Sequence, residues 1–122
     1  MSAAEIRARL IDNAAVIYPG HYLNQLRGES IELQCQTLLA RGVRRIVINF
    51  EETELVNSIG ISILLGVIEA VNNASGTLVL SNLNSSNREL FEMLGLMSHI
   101  ETAETEQAAI ERLCGQLSQA AM

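Results

Sequence analysis

The residues whose types and spacing bear on chemistry gather in one run, Glu51-Glu52-Thr53-Glu54-Leu55-Val56-Asn57-Ser58-Ile59-Gly60-Ile61. The β-branched segment Ile46-Val47-Ile48 leads into it, and an apolar segment follows. Asn57 is placed to cap a helix, because its side-chain oxygen can accept a free first-turn amide. Ser58 is then the first helical residue, and its hydroxyl stands exposed at the positive end of the helix dipole. Gly60 keeps that first turn small, so another surface can approach closely. Taken alone, Asn-Ser before an apolar helix is ordinary capping chemistry.

Other chemistries find little support. No Gly-x-Ser-x-Gly elbow occurs, and neither His21 nor His99 lies near a candidate nucleophile in sequence. The two histidines have no metal-ligand spacing with each other or with Cys35 and Cys114. The cysteines form no CxxC pair and read as reduced, packed thiols. All 8 basic residues are Arg, so no P-loop or Schiff-base lysine exists. Against 14 acidic residues they leave a net charge of −6, which opposes nucleic-acid binding and a polybasic membrane patch. Aromatic residues are 3% of the chain, too few for a base-stacking platform. The only aspartate is Asp12, and there is no Gly-rich phosphate loop. No metal or cofactor is expected, and an enzyme is disfavoured.

These residues need elements to position them. The 122 residues suit one domain, and 48% apolar content argues for a packed core over disorder. Ile6–Ile11 and Ala15–Tyr18 read as two strands joined by a turn at Asp12-Asn13. Residues 20–28 read as a loop. Ile31, Cys35, Leu38 and Leu39 share one helical face and predict a helix over 29–41, closed by Gly42. Val43–Phe50 predicts a buried central strand. A second helix follows over 58–74, with Ile61, Leu64, Leu65, Ile68 and Val71 inward. Thr77–Leu80 is a short strand. Ser86 with Glu89 resembles a capping box and opens a third helix bearing Leu90, Phe91 and Leu94, closed by Gly95. A short strand near 99–101 and a helix from Thr105 to about Leu117 complete the order. Leu96, Met93 and Met97 are expected in the core.

This order predicts an α/β domain with a mixed sheet of about four or five strands and about four helices, mainly on one face. The other face is expected to be partly open. The charged start, with Glu5, Arg7, Arg9 and Asp12, is unlike a signal peptide. Ile59–Ile68 is far short of the ~20 residues that span a bilayer, so a cytoplasmic location without membrane insertion is expected.

From about Ile6 to Leu113 the chain resembles a STAS domain, the fold of bacterial anti-sigma factor antagonists. That family runs from a β-branched strand through a loop to Asp-Ser-[Ser/Thr/Ala]-Gly-[Leu/Ile/Val] at a helix start, here Asn57-Ser58-Ile59-Gly60-Ile61. A Gly-Leu pair ending a later helix matches Gly95-Leu96, and Arg88 falls where such proteins often carry Arg. The resemblance implies a single STAS domain over 1–122, with its core at about 6–117. It implies that Ser58 is the phosphorylation target of an anti-sigma factor serine kinase with a histidine-kinase-like ATPase fold. The unphosphorylated antagonist would bind that kinase and free a sigma factor; a serine phosphatase would reset it. Tyr22, Leu23 and Asn24 should lie near Ser58, so the implied partner-binding set is Tyr22, Asn24, Asn57, Ser58, Ile59, Gly60 and Ile61. Glu51, Glu52 and Glu54 offer negative charge to a basic partner surface.

The chain departs from the family pattern. Asn57 stands for the Asp before the serine, and Asn49 for an Asp at the strand end. Asn24 matches a third acidic position loosely. Ile59 replaces a small residue. These departures support an alternative, a STAS scaffold or adaptor that binds without being switched, in a stressosome-like or lipid-transport complex. A homodimer through a sheet edge or face is compatible with the composition and not demanded by it.

Overall fold

The computed structural model describes residues 6–121, with side chains through Cys114. Strands β1 (Arg7–Ile11) and β2 (Ala14–Tyr18) form the expected hairpin, turning at Asp12 with φ 53°. The two-residue strand β3 (Tyr22–Leu23) precedes α1 (Gln25–Ala40). Then come β4 (Arg45–Asn49), the short β5 (Leu55–Val56), α2 (Ser58–Asn73) and β6 (Thr77–Ser81). Helix α3 (Ser85–Met93), a 3-10 turn (Met97–His99), β7 (Glu101–Ala103) and α4 (Glu106–Ala121) complete the chain.

The main sheet runs β1-β2-β4-β6-β7. β1 pairs antiparallel with β2, and the other pairings are parallel. Ile46, Val47 and Ile48 on β4 and Leu78, Val79 and Leu80 on β6 are all buried, as strands covered on both faces must be. Ala15, Ile17, Ile46, Ile48, Leu78 and Leu80 meet apolar side chains of α1, α2 and α3. On the opposite face Val16, Val47, Val79 and Ala103 meet Ala109 and Leu113 of α4. Three helices thus share one face, and α4 covers the face expected to be partly open. The side chain of Leu117 lies outside those described.

Several boundaries differ from the sequence reading. α1 begins at Gln25 because Asn24 caps it, its Oδ1 accepting from the Arg27 amide at 3.0 Å. Gly28 therefore sits inside the helix, where an added Cβ would come within 3.1 Å of Ile63 Cβ. The close α1–α2 packing explains a glycine that looked like loop. α3 is capped by Asn84, whose Oδ1 accepts from the Asn87 amide at 2.7 Å, not by a Ser86–Glu89 box. Phe91 is buried edge-to-face against Phe50, at 6.2 Å between centroids. Leu94 and Met93 are exposed instead of inward, while Leu96 and Met97 pack partly against the core.

Candidate functional site

Three helix starts lie in the connections that follow parallel strands at one end of the sheet. α1 follows β2 and β3, α2 follows β4 and β5, and α3 follows β6. All three are capped by asparagine, at positions 24, 57 and 84, and none has an acidic residue in its first turn. The positive helix ends are therefore left without a compensating carboxylate of their own.

Ser58 is exposed as the first residue of α2. Asn57 accepts at Oδ1 from the Gly60 amide at 2.8 Å and donates from Nδ2 to the Tyr22 hydroxyl at 3.2 Å. The expected cap is thus present, and it also reaches sideways to β3. β3 and β5 pair in parallel, Tyr22 with Leu55 and Leu23 with Val56, and the Asn57 amide donates to the Leu23 carbonyl at 3.0 Å. This small second sheet lay hidden in segments read as loops, because two residues are too few to show periodicity.

The fold gathers Tyr22, Asn24, Asn57 and Ile59 around an open groove of about 490 Å³, with Leu26 and Glu29 also on its walls. Tyr22, Leu26, Leu55 and Ile59 are 42%, 49%, 62% and 51% exposed. These are large apolar surfaces to leave in water, and they make this the candidate contact surface of the chain. Leu26 and Leu55 were not singled out by the sequence; no periodic signal separates an exposed leucine from a buried one at a helix start or loop. Glu51, Glu52 and Glu54 are exposed along the neighbouring loop, with Glu52 3.6 Å from Arg7.

Two of the expected contacts, Gly60 and Ile61, sit beneath this surface instead of on it, as does Leu23. Ile61 is 4% exposed and Leu23 is fully buried. Gly60 is buried too: a Cβ there would lie 2.4 Å from the Leu23 carbonyl oxygen. The surface that approaches Gly60 is the chain's own β3. These residues shape the site from below and leave Tyr22, Asn24, Asn57, Ser58 and Ile59 to face outward.

Thr53 is 1% exposed in a loop whose neighbours Glu52 and Glu54 are exposed. Its Oγ1 donates to the Gly20 carbonyl at 2.7 Å, and its own carbonyl accepts from Asn87 Nδ2 at 2.8 Å. A lone threonine among glutamates is the only trace of this anchor in the sequence.

Other candidate chemistry stays dispersed. Among the described residues, no group of three or more His, Cys, Asp and Glu is placed to hold a metal ion. Both cysteines are free thiols; burial pushes Cys35 up to about 12, so it stays protonated and unreactive. Among the described residues, no helix is long and apolar enough to cross a membrane.

The STAS domain family matches residues 5–109. BtrV of Bordetella bronchiseptica, named provisionally as an anti-sigma factor antagonist, is 29% identical over 87 residues, covering 71% of this chain and 75% of that protein. The phosphorylated form of the Bacillus cell fate determinant SpoIIAA superposes with a TM-score of 0.69 at 25% identity, covering 88% of this chain and 98% of that one. An anti-sigma factor antagonist of Thermotoga maritima, also provisionally named, reaches a TM-score of 0.80 at 15% identity, over 88% of this chain and 93% of that one; it supports the fold alone.

Proposed function

This chain belongs to the STAS domain family, and from that premise we propose that it is an anti-sigma factor antagonist, a cytoplasmic binding module without catalytic activity. In this reading it sequesters an anti-sigma factor serine kinase of the histidine-kinase-like ATPase fold. Phosphorylation of Ser58 releases the kinase, and a serine phosphatase restores the binding form. The observation that carries the reading is the position of Ser58, exposed at a helix start and flanked by the exposed apolar residues Tyr22, Leu26, Leu55 and Ile59. Tyr22, Asn24, Asn57, Ser58 and Ile59 contact the partner, with Gly60 and Ile61 supporting them from beneath.

The physics of such a switch suits this place. A phosphate adds about −1.5 to −2 charges and three acceptor oxygens. The first turn of α2 carries no acid, so its amides and dipole tolerate an anion without unfolding. The cost falls on a docked partner, which must accept a bulky hydrated charge against an apolar patch. Losing about 3–5 kcal/mol there turns a tight complex into a weak one.

Ile59 favours a second reading. Its exposed side chain beside Ser58, together with the neutral Asn57, suits an adaptor that binds without a switch. One experiment separates the two. Parent, Ser58→Ala and Ser58→Glu proteins are used to capture partners from lysate of the source organism, and the captured ATPase is then supplied with ATP. The switch reading expects parent and Ser58→Ala to retain the ATPase, Ser58→Glu to lose it, and phosphate to appear on Ser58 of the parent alone. Equal capture by all three proteins, with no phosphate on Ser58, establishes the adaptor.

A further inference from the structure

We propose that Thr53 is the positioning residue of the Ser58 surface, locking the three strand-to-helix connections at this end of the sheet into one preformed unit. The proposal rests on the reading of that surface as a partner site, and it adds what holds the surface in shape. Thr53 makes four hydrogen bonds from a loop that is otherwise acidic and solvated. Its amide donates to the Phe50 carbonyl at 2.9 Å, closing a turn directly after β4. Its hydroxyl donates to Gly20 in the connection after β2. Its carbonyl accepts from Asn87 Nδ2 and, at 3.4 Å, from Asn84 Nδ2, both at the start of α3.

The consequences reach Ser58 through the backbone. Immediately after Thr53, the Glu54 and Leu55 amides donate to the His21 carbonyl at 2.9 and 3.1 Å. The Asn57 amide then donates to Leu23, and Gly60 seats against the same carbonyl. β3 and β5 have only two residues each, too few to hold together unaided. Thr53 supplies a buried anchor at the entrance of that pairing, and Asn87 fastens the anchor to α3. A surface that is ordered before binding loses less conformational entropy on docking, so the anchor raises partner affinity without touching the partner.

The test uses Thr53→Val, which keeps the shape and removes the hydroxyl, and Thr53→Ser, which keeps the hydroxyl. Asn87→Ala, which removes the shorter of the two links to α3, serves as a second probe should Thr53→Val fail to fold. Amide hydrogen exchange is followed in the free protein, alongside urea denaturation for global stability. In Thr53→Val and Asn87→Ala, exchange at Glu54, Leu55, Asn57 and Gly60 should rise roughly tenfold beyond any rise at Ile48 and Leu80, as for loss of a buried hydrogen bond. Thr53→Ser should remain within about twofold of the parent, by the same hydrogen-bond argument. Capture of the ATPase should weaken in step with the loop exchange. An equal rise at loop and sheet amides, or no rescue by Thr53→Ser, overturns the proposal. So does a loosened loop with unchanged capture. If the parent itself captures no ATPase, the proposed partner is wrong, while the exchange data still decide whether Thr53 orders the surface.

Discussion

Asn49 donates from Nδ2 to Oε1 of Glu106 at 2.9 Å, and its Oδ1 accepts from the Glu51 amide at 2.7 Å. One side chain thereby joins the end of β4, the first turn of the acidic loop and the first residue of α4. The same Glu106 carboxylate receives the Tyr18 hydroxyl at 2.8 Å and the Arg9 guanidinium. An amide at position 49 satisfies both neighbours, whereas a carboxylate would keep the turn and set its other oxygen against a second carboxylate. An asparagine that departs from the family's acidic pattern is, in this chain, the matching partner of a glutamate far away in sequence.

Asn49→Asp is therefore expected to destabilise the fold by about 1–3 kcal/mol, the range for breaking a buried hydrogen-bonded pair. Adding Glu106→Gln to that variant should recover part of the loss, because the glutamine amide can donate to the new carboxylate. Urea denaturation of the two single variants and the double variant measures the coupling, with an unchanged slope showing that the unfolding transition is the same. Additive effects of the two substitutions would show that the contact does not govern the choice of residue.

Two glycines of α2 should respond in opposite directions. Gly60→Ala drives a methyl group into the Leu23 carbonyl, so β3 must move or α2 must shift at its start. A loss of about 3 kcal/mol, at the upper end of ordinary overpacking, is expected together with loss of the Asn57–Leu23 hydrogen bond. Gly66 is exposed in the interior of the same helix, with nothing within 4 Å of an added Cβ. Gly66→Ala should raise stability by about 0.5–1 kcal/mol through helix propensity. Thermal denaturation of the pair checks both signs.

The long periodic elements were readable because burial imposes its period on sequence. The hairpin, the central strand and α2 follow from alternation, β-branched runs and the spacing of Ile61, Leu64, Ile68 and Val71. Asn57 as the cap of α2 followed from side-chain chemistry alone. The start of α1 was not readable, since Gly28 looks like loop until Ile63 is seen packed against it. The cap at Asn84 was masked by a competing Ser86–Glu89 pattern. β3 and β5 were invisible because their pairing is stabilised by tertiary neighbours and not by their own composition. For the same reason the burial of Gly60 and Leu23 under the site emerged only once the two short strands were placed, whereas the inward position of Ile61 followed from the helical spacing.

Alkaline titration should reveal Cys35. Burial raises its thiol from 9.0 to about 12 in the folded chain. Between those values the unfolded chain has released this proton and the folded chain has kept it, so stability falls as pH rises. The fully displaced slope is about 1.4 kcal/mol per pH unit for one proton. The chain contains no lysine, so no side-chain ammonium group overlaps this window. Cys35→Ala should flatten the fall above pH 9, whatever its cost at neutral pH. In the native protein a thiol reagent should label half-buried Cys114 and leave Cys35 unmodified until denaturant is added.

Ser58 offers a way to separate folding from binding. Its side chain is exposed at the start of a helix whose first turn carries no acid. Ser58→Glu should therefore leave stability unchanged or raise it by up to about 0.5–1 kcal/mol at low ionic strength, as a carboxylate meets the helix dipole. Ser58→Arg puts the wrong sign at the same place and should lower stability by a similar amount. Both shifts should shrink in 1 M salt, where the screening length is about 3 Å. Denaturation at two salt concentrations tests this. If Ser58→Glu unfolds the protein, its failure to hold a partner says nothing about a switch. If it folds as well as the parent and still releases the partner, the charge acts at the interface, beside the exposed Tyr22, Leu26, Leu55 and Ile59.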